Sequence, residues 1–374
     1  MNEIYRTTRV LLLSLLFSSL LVVVKAQEDS LSISKTTLSI QAYLDVFYSY
    51  DFNEPETDYR LPYIVNHNRH NEFNLNLGSI GVAVENDSYH ANLVLQTGTY
   101  AKDNYANEDA IMSSINEASA GIALTKNRKL WLDAGILSSH IGYESPFQIN
   151  DLTLTRSIMA EGAPYFFAGA KLTYTFNERW MFMAMITNGW QRIRRVEGNS
   201  MMSYGTQLQF KPSKNMQINW NTFIGTEDPD DKRRMRYFNE IYALFSLGEK
   251  WDLQAGFDLG MQQESKGSDT YNNWYLASII ARYSFVSNWA VSLRGEYIND
   301  VKKVVIANPT PNDFVCYGIS ANLDYSPIQN VIARVEGRYL YGENNIFIYN
   351  DLYVNNDFFI TFSLSIAFGK KLDI

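Results

Sequence analysis

Residues 356–368 read NDFFITFSLSIAF, and their alternation decides the fold. Phe358, Ile360, Phe362, Leu364, Ile366 and Phe368 take every second position, while Phe359, Thr361, Ser363, Ser365 and Ala367 fill the gaps. Successive side chains of a strand point to opposite faces, so one face is wholly apolar and the other small and mostly polar. Two structures use such a strand: the edge of a soluble sandwich, and the closing strand of a transmembrane β-barrel. In the barrel the apolar face meets lipid and the polar face meets a lumen.

Composition favours the barrel. The chain carries 25 Tyr, 21 Phe and 7 Trp, yet its mean hydropathy is slightly negative. Barrels reconcile the two, because half of each strand faces water and aromatic girdles mark the membrane interfaces. The start of the chain reads as a secretory signal: Arg6 and Arg9, an apolar run from Val10 to Val24, and a small residue, Ala26, before Gln27. The alternative for this run is an uncleaved signal anchor, but it is short for a spanning helix. No later run is long enough for a transmembrane helix. Cys316 is the only cysteine, which excludes an intramolecular disulfide and a thiolate metal cluster. The formal charge of −8 becomes about −10 without residues 1–26, a balance that argues against nucleic acid.

From Leu38 onward, alternating segments are joined by two kinds of connection. Short polar turns fall at Asn86-Asp87, Asn127-Arg128, Asn177-Glu178, Ser213-Asn215, Gly248-Lys250, Ser287-Asn288 and Pro327-Asn330. Between them lie longer acid- and Asn-rich segments near 51–71, 101–113, 139–163, 191–200, 227–235, 263–271, 299–312 and 343–355. Short turns on one side and long loops on the other are the asymmetry of an outer-membrane barrel. Seven turns and eight loops separate sixteen strands. An even count places both ends of the barrel on the short-turn, periplasmic side. The segments near 72–85, 114–126 and 179–190 alternate poorly, which leaves fourteen or eighteen strands open. The expected organisation is a signal peptide at 1–26, a periplasmic segment at 27–37, an all-β transmembrane antiparallel barrel at 38–368 and a periplasmic tail at 369–374.

Charge assigns the faces, since a Lys or Arg facing lipid at mid-membrane costs ~2–4 kcal/mol. Trp251, Leu253, Phe257 and Leu259 then face lipid while Asp252, Gln254 and Asp258 face inward. Arg294 and Glu296 turn inward, as do Ser320, Asn322 and Asp324, and Arg334, Glu336 and Arg338. Three consecutive strands therefore give one charged inner wall around a water-filled interior. Trp180, Trp251 and Trp289 each follow a short turn directly, as an interfacial girdle requires. Incidental strand aromatics are the alternative. Trp131 lies near the same height, but its parity groups it with the inward Asp133.

Ile141 to Tyr174 reads IGYESPFQINDLTLTRSIMAEGAPYFFAGAKLTY. Through Gly142, Glu144, Asn150, Thr155, Arg156, Ser157, Pro164, Gly169 and Tyr174, this block resembles the β-barrel porin family of the OmpL-like type. That family is found in Bacteroidetes and related Gram-negative bacteria. The resemblance implies an outer-membrane porin and supplies no substrate. The residues after Phe368, GKKLDI, depart from the terminal-aromatic ending of many barrels.

The longest loop is the third, and in general porins that loop folds into the lumen. Its Glu144, Asp151 and Glu161 are expected to face Arg294, Arg334 and Arg338 across a constriction, with Glu296 and Glu336 on the same wall, because rings of charge set selectivity at a narrow point. The other reading is a surface loop with salt-bridged lumen residues that stiffen the wall, Arg156 tying the loop to the rim. Enzyme signals are few. His67 and His70 have ligand-like spacing but lack further ligands, and Ser139-His140 is adjacent in sequence without a triad. No cofactor, metal or catalytic residue is expected. Arg192, Arg194 and Arg195, and Lys232, Arg233, Arg234 and Arg236, sit in outer loops. They are expected either to meet the anionic groups of lipopolysaccharide or to pair with Asp228, Asp230 and Asp231. The functional expectation is passive diffusion of small hydrophilic solutes or ions across the outer membrane, with a homotrimer as one assembly. The competing class is a non-conducting barrel that acts as a structural or adhesive surface protein through its long loops.

Overall fold

Asn86 Oδ1 accepts the backbone N–H groups of Ser88 and Tyr89 at 2.8 and 2.9 Å, and Asn177 Oδ1 accepts those of Arg179 and Trp180 at 2.9 and 3.1 Å. An Asn side chain that satisfies the backbone two and three residues ahead makes a turn tight, and turns of this kind set the barrel's short-loop end. The computed structural model describes residues 35–374. The expected signal peptide, and residues 27–34 of the expected periplasmic segment, lie outside the described residues.

Sixteen strands form one closed antiparallel barrel. In chain order they are β1 (Thr37–Asp51), β2 (Glu72–Glu85), β3 (Tyr89–Thr97), β4 (Ile115–Ala123), β5 (Leu130–Ser138), β6 (Phe166–Thr175), β7 (Trp180–Thr187) and β8 (Ser203–Ser213). They continue with β9 (Met216–Gly225), β10 (Arg236–Leu247), β11 (Trp251–Gln263), β12 (Tyr271–Val286), β13 (Trp289–Asp300), β14 (Phe314–Tyr325) and β15 (Val331–Gly342). A two-stranded hairpin, β16 (Phe347–Tyr349) and β17 (Leu352–Val354), ornaments the last outer loop, and β18 (Asn356–Asp373) closes the barrel. β1 pairs with β2 on one side and β18 on the other, so no sheet edge is left for lipid to meet. The three weakly alternating segments are barrel strands, which settles the count at sixteen.

The last strand is longer than its alternation suggests. Residues 369–373, expected in a free tail, continue β18 and pair with β1 as far as Thr37↔Asp373. Lys370 and Lys371 break the apolar pattern where the wall leaves the membrane, and there charge is tolerated.

Along β18 the apolar set, Phe358, Phe362, Leu364, Ile366 and Phe368, is exposed on the outer wall, and Asp357, Phe359, Thr361, Ser363 and Ser365 are buried within. The three expected girdle tryptophans share one arrangement. Trp180 stacks on Phe210, and Trp251 and Trp289 lie tilted against Tyr283 and Tyr325, with ring centroids 4.3, 4.6 and 4.6 Å apart. In each pair the two residues are register partners at the turn end of neighbouring strands. Trp131 instead lies against His90, itself 2.5 Å from Asp133, as its parity predicts.

The outer half of the interior is packed, where water was expected. Phe223, Phe238, Trp274, Ile298, Phe314 and Phe359 point inward from the wall and meet Ile158, Met159 and Ala163 of the third loop. Tyr63, Ile64, Ile306 and Ile346 of other outer loops join the same cluster. Apolar residues of the strands and of the loops thus share one core in the outer half of the barrel. The second loop opens with helix α1 (Thr99–Asn104), whose Asp103 pairs with Arg69 of the first loop at 2.7 Å.

Candidate functional site: the third loop and the arginine wall

The chain leaves β5 at Ser138 and turns inward at Gly142, which has φ +90°, a conformation that disfavours any side chain. Its N–H donates to both oxygens of Glu240 on β10, at 3.0 and 2.8 Å. The loop then makes a short turn at Gln148–Asn150 and a one-turn helix α2 (Ile158–Glu161). Ser157 caps α2: its Oγ accepts the Ala160 N–H at 3.1 Å and donates to Glu144, which also accepts the Ser157 N–H at 3.0 Å. The signature positions Gly142, Glu144 and Ser157 are therefore the ones that fold the loop inward. Asn150 lies exposed in the short turn, and Pro164 is buried at the entry to β6.

Three arginines on the wall hold the loop by its carbonyls. Arg334 on β15 donates to the backbone oxygens of Gln148, Asp151 and Thr153 at 2.6, 2.6 and 2.9 Å. Arg294 on β13 donates to Thr155 O at 2.5 Å and to the hydroxyls of Thr153 and Thr155 at 3.0 Å. Arg338 donates to Arg156 O at 2.9 Å. Carboxylates on the same wall take the loop's N–H groups: Thr155 N donates to Glu336 at 2.6 Å and Ile158 N to Glu296 at 2.8 Å. Asn322 accepts from Leu154 N at 3.1 Å. The wall neutralises itself through Arg294–Glu336 at 2.7 Å, Arg338–Glu296 at 2.6 Å and Arg334–Asp324 at 3.1 Å. All of these charges are buried. Buried ions persist where opposite charges and charge-assisted hydrogen bonds offset their desolvation. Here most but not all of the polar atoms are hydrogen-bonded: Arg294 Nε, Arg334 Nε, Arg338 Nη2 and Asp324 Oδ2 have no hydrogen-bond partner among the described residues.

The expected opposing charges belong to one continuous network instead of two walls separated by water. The loop's own carboxylates do not reach the arginine side chains. Glu144 binds Ser157, Asp151 accepts the Ser145 N–H at 2.8 Å, and Glu161 accepts from Val65 N, Asn66 Nδ2 and the Tyr165 hydroxyl at 3.2, 3.3 and 2.7 Å. Burial, with Glu144 close by, pushes the Asp151 carboxyl up to about 8. Burial also raises Glu161, against the opposing pull of Arg156. The Arg156 guanidinium lies over the Tyr165 ring, 3.7 Å from its centroid. Sequence reasoning missed Glu240 and the hydroxyls of Thr153 and Thr155. The inward parity of Glu240 was the one signal that could have raised it.

The remaining candidates are engaged elsewhere. His67 Nε2 lies 2.8 Å from Asp45, and His70 Nδ1 accepts the Asp51 N–H at 3.1 Å, so the two imidazoles do not converge. His140 Nε2 lies 3.0 Å from the Thr222 carbonyl inside the barrel, and its ring is buried. Arg234 clamps Asp228 at 2.8 and 2.9 Å, Arg233 pairs with Asp230, and Arg192 with Glu227 at 3.0 Å.

A closed sixteen-stranded barrel with an apolar outer wall, short turns at one end and its longest loop folded inside has the architecture of an outer-membrane porin-like channel for passive diffusion. The chain belongs to the family described as "Putative beta-barrel porin-2, OmpL-like", which it matches over residues 37–368. This is a porin family, not one of enzymes. No curated protein matches the sequence. Among solved structures the chain is similar to the outer membrane channel DcaP of Acinetobacter baumannii, with 10% identity, 89% of this chain and 97% of that chain covered, and a TM-score of 0.61. It is similar to the anion-selective porin from Comamonas acidovorans, with 7% identity, coverage of 89% and 100%, and a TM-score of 0.60. The trimer form of Vibrio cholerae OmpT gives 8% identity, coverage of 89% and 99%, and a TM-score of 0.58. At these identities the likeness is one of fold.

Proposed function

We propose that the channel passes small hydrophilic solutes or ions, and that its narrowest part is set by the third loop held against the arginine wall. The observation that carries this reading is the set of hydrogen bonds from Arg294, Arg334 and Arg338 to the loop's carbonyls. Glu144, Asp151 and Glu161 keep the loop's shape, and Glu296 and Glu336 fix its position along the wall. Selectivity then follows from where the loop is pinned, with a local potential supplied by the same charges. The test is single-channel conductance in a planar bilayer under a salt gradient. Stable steps are expected, and replacing Arg334 and Arg338 by Ala is expected to change both step size and reversal potential. Unchanged values would remove the wall from the selectivity mechanism.

A homotrimer is our reading of the assembly. Ala91, Ala120, Ala134 and Ala170 are successive register partners across β3 to β6, giving the outer wall a low stripe against which another barrel can lie. The outer-loop arginines that remain exposed, Arg194 foremost, suit the anionic groups of lipopolysaccharide. The setting we infer is the outer membrane of a Gram-negative bacterium of the Bacteroidetes type, entered with a cleaved signal peptide.

The apolar cluster in the outer half of the interior favours a second reading, a barrel that does not conduct and acts through its loops. A folded, inserted protein without current selects it.

A further inference from the structure

We propose that the outer mouth holds a binding site for an organic ammonium ion, a primary amine carried on a compact apolar body. A cavity of about 590 Å³ opens among the first, second, seventh and eighth outer loops. Leu61, Pro62, Pro309 and Ile346 give it apolar walls. Asp51 and Asp357, at adjoining ends of β1 and β18, line it together with Arg60.

The charges of this trio do not balance. Asp357 is fully buried, and neither of its carboxylate oxygens has a hydrogen-bond partner among the described residues. Asp51 accepts the Asn53 N–H at 2.9 Å and lies 3.7 Å from Arg60 Nε. Arg60 spends Nη1 on Ser49 Oγ at 3.0 Å and His67 O at 2.9 Å and lies over the Phe359 ring at 3.5 Å, while its Nε and Nη2 have no hydrogen-bond partner among the described residues. One guanidinium thus faces two buried carboxylates, and in this dry place their second charge needs either a shared proton or a cation in its stead.

The surroundings select the kind of cation. Calcium and magnesium take six or more oxygen ligands, and the described residues contain no group of three acidic or imidazole side chains placed to hold any metal. An ammonium needs only two or three acceptors, and a body attached to it fills the apolar walls. The other nearby acid, Asp103, is neutralised by Arg69 at 2.7 Å and does not compete. Glu56 and Asp351, exposed on the rim, add negative charge along the approach from outside.

The inference stands apart from conduction, because binding at the mouth is read without any current. The experiment is calorimetric titration of the folded, detergent-solubilised protein with benzylammonium, with benzyl alcohol as the neutral counterpart and calcium as the inorganic one. Saturable binding of benzylammonium is expected, at least tenfold tighter than benzyl alcohol, with no binding of calcium at the same site. Asp357→Asn, its fold checked by heat-modifiable gel mobility, is expected to weaken the ammonium at least tenfold and leave the alcohol unchanged. Equal affinity for the alcohol would reduce the site to an apolar cleft and overturn the proposal. Calcium displacing benzylammonium, absence of any binding, or a folded Asp357→Asn variant that binds as before would overturn it too. The comparison of ligands on the unaltered chain decides the matter even if the variant does not fold.

Discussion

The backbone N–H of Thr155 donates to Glu336 Oε2 at 2.6 Å, and the other oxygen of the same carboxylate takes Arg294 Nη2 at 2.7 Å. One buried side chain therefore ties the third loop to the wall and the wall to itself. Glu336→Ala leaves Arg294 buried beside an empty position, and breaking a buried pair in this way costs about 3–5 kcal/mol. Unfolding in urea should show that loss, and single-channel records should become noisier as the loop loosens. A variant with unaltered stability would mean that the hydroxyls of Thr153 and Thr155 suffice to hold Arg294.

The Asp151 carboxyl supplies a pH dependence with a defined sign. It titrates near 8 in the folded chain and near 4 in an unfolded one, so the folded state holds an extra proton between these values. Its contribution to stability declines as pH rises from about 4 to about 8 and then levels off, at no more than about 1.4 kcal/mol per pH unit. Asp151→Asn should flatten that slope. Urea midpoints at pH 5, 7 and 9 compare the two proteins, and parallel curves would count against the assignment.

Glu240 and Asp258 are register partners on β10 and β11, both buried, and neither Asp258 oxygen has a hydrogen-bond partner among the described residues. Like charges directly opposite each other destabilise a strand pair. Asp258→Asn should therefore stabilise the barrel, by up to about 1 kcal/mol, only at a pH high enough to ionise both carboxyls. Glu240→Gln should do the reverse, because it weakens the anchor of the Gly142 N–H. Differential unfolding of the two variants checks the opposite signs.

Brominated lipid should quench Trp180, Trp251 and Trp289 in single-tryptophan variants and spare Trp274, which is fully buried in the interior. Quenching of Trp274 would contradict the inward face of β12.

Ala134→Phe puts a large ring on the low outer stripe, where a lipid-facing residue is tolerated as such. Light scattering after size exclusion should show the trimer fraction fall while the monomer stays folded. An unchanged mass would move the subunit contact to another part of the wall.

The strands were legible because alternation and the place of charge fix which face looks outward. The segments around Ile241, Phe257 and Ile319 could not be turned over without exposing Glu240, Asp258 or Asp324 to hydrocarbon. Three of the seven short turns were legible because Asn86, Asn127 and Asn177 accept their N–H groups. The site was legible only in its parts. Parity states that Arg334 points inward, but water and a folded loop are equally able to receive its hydrogens, and 181 residues separate it from the Thr153 carbonyl it takes. The inner face of the outer half was misread as wet for the same reason, since Trp274 and Phe314 find their partners in loops that carry no periodic signal.

The seam between β1 and β18 runs from Thr37↔Asp373 to Asp51↔Phe359, joining the two ends of the described chain through fifteen register pairs. Until those pairs form, both strands present open edges that hydrocarbon cannot solvate, and the loop to be closed is nearly the whole polypeptide. Assembly is therefore expected to be all-or-none and late. The segment must reach the membrane with β18 still free, and any folding helper has to shelter both edges at once. A break anywhere along the seam is expected to halt biogenesis before a channel exists, which makes this stretch the least forgiving part of the protein to tag or shorten.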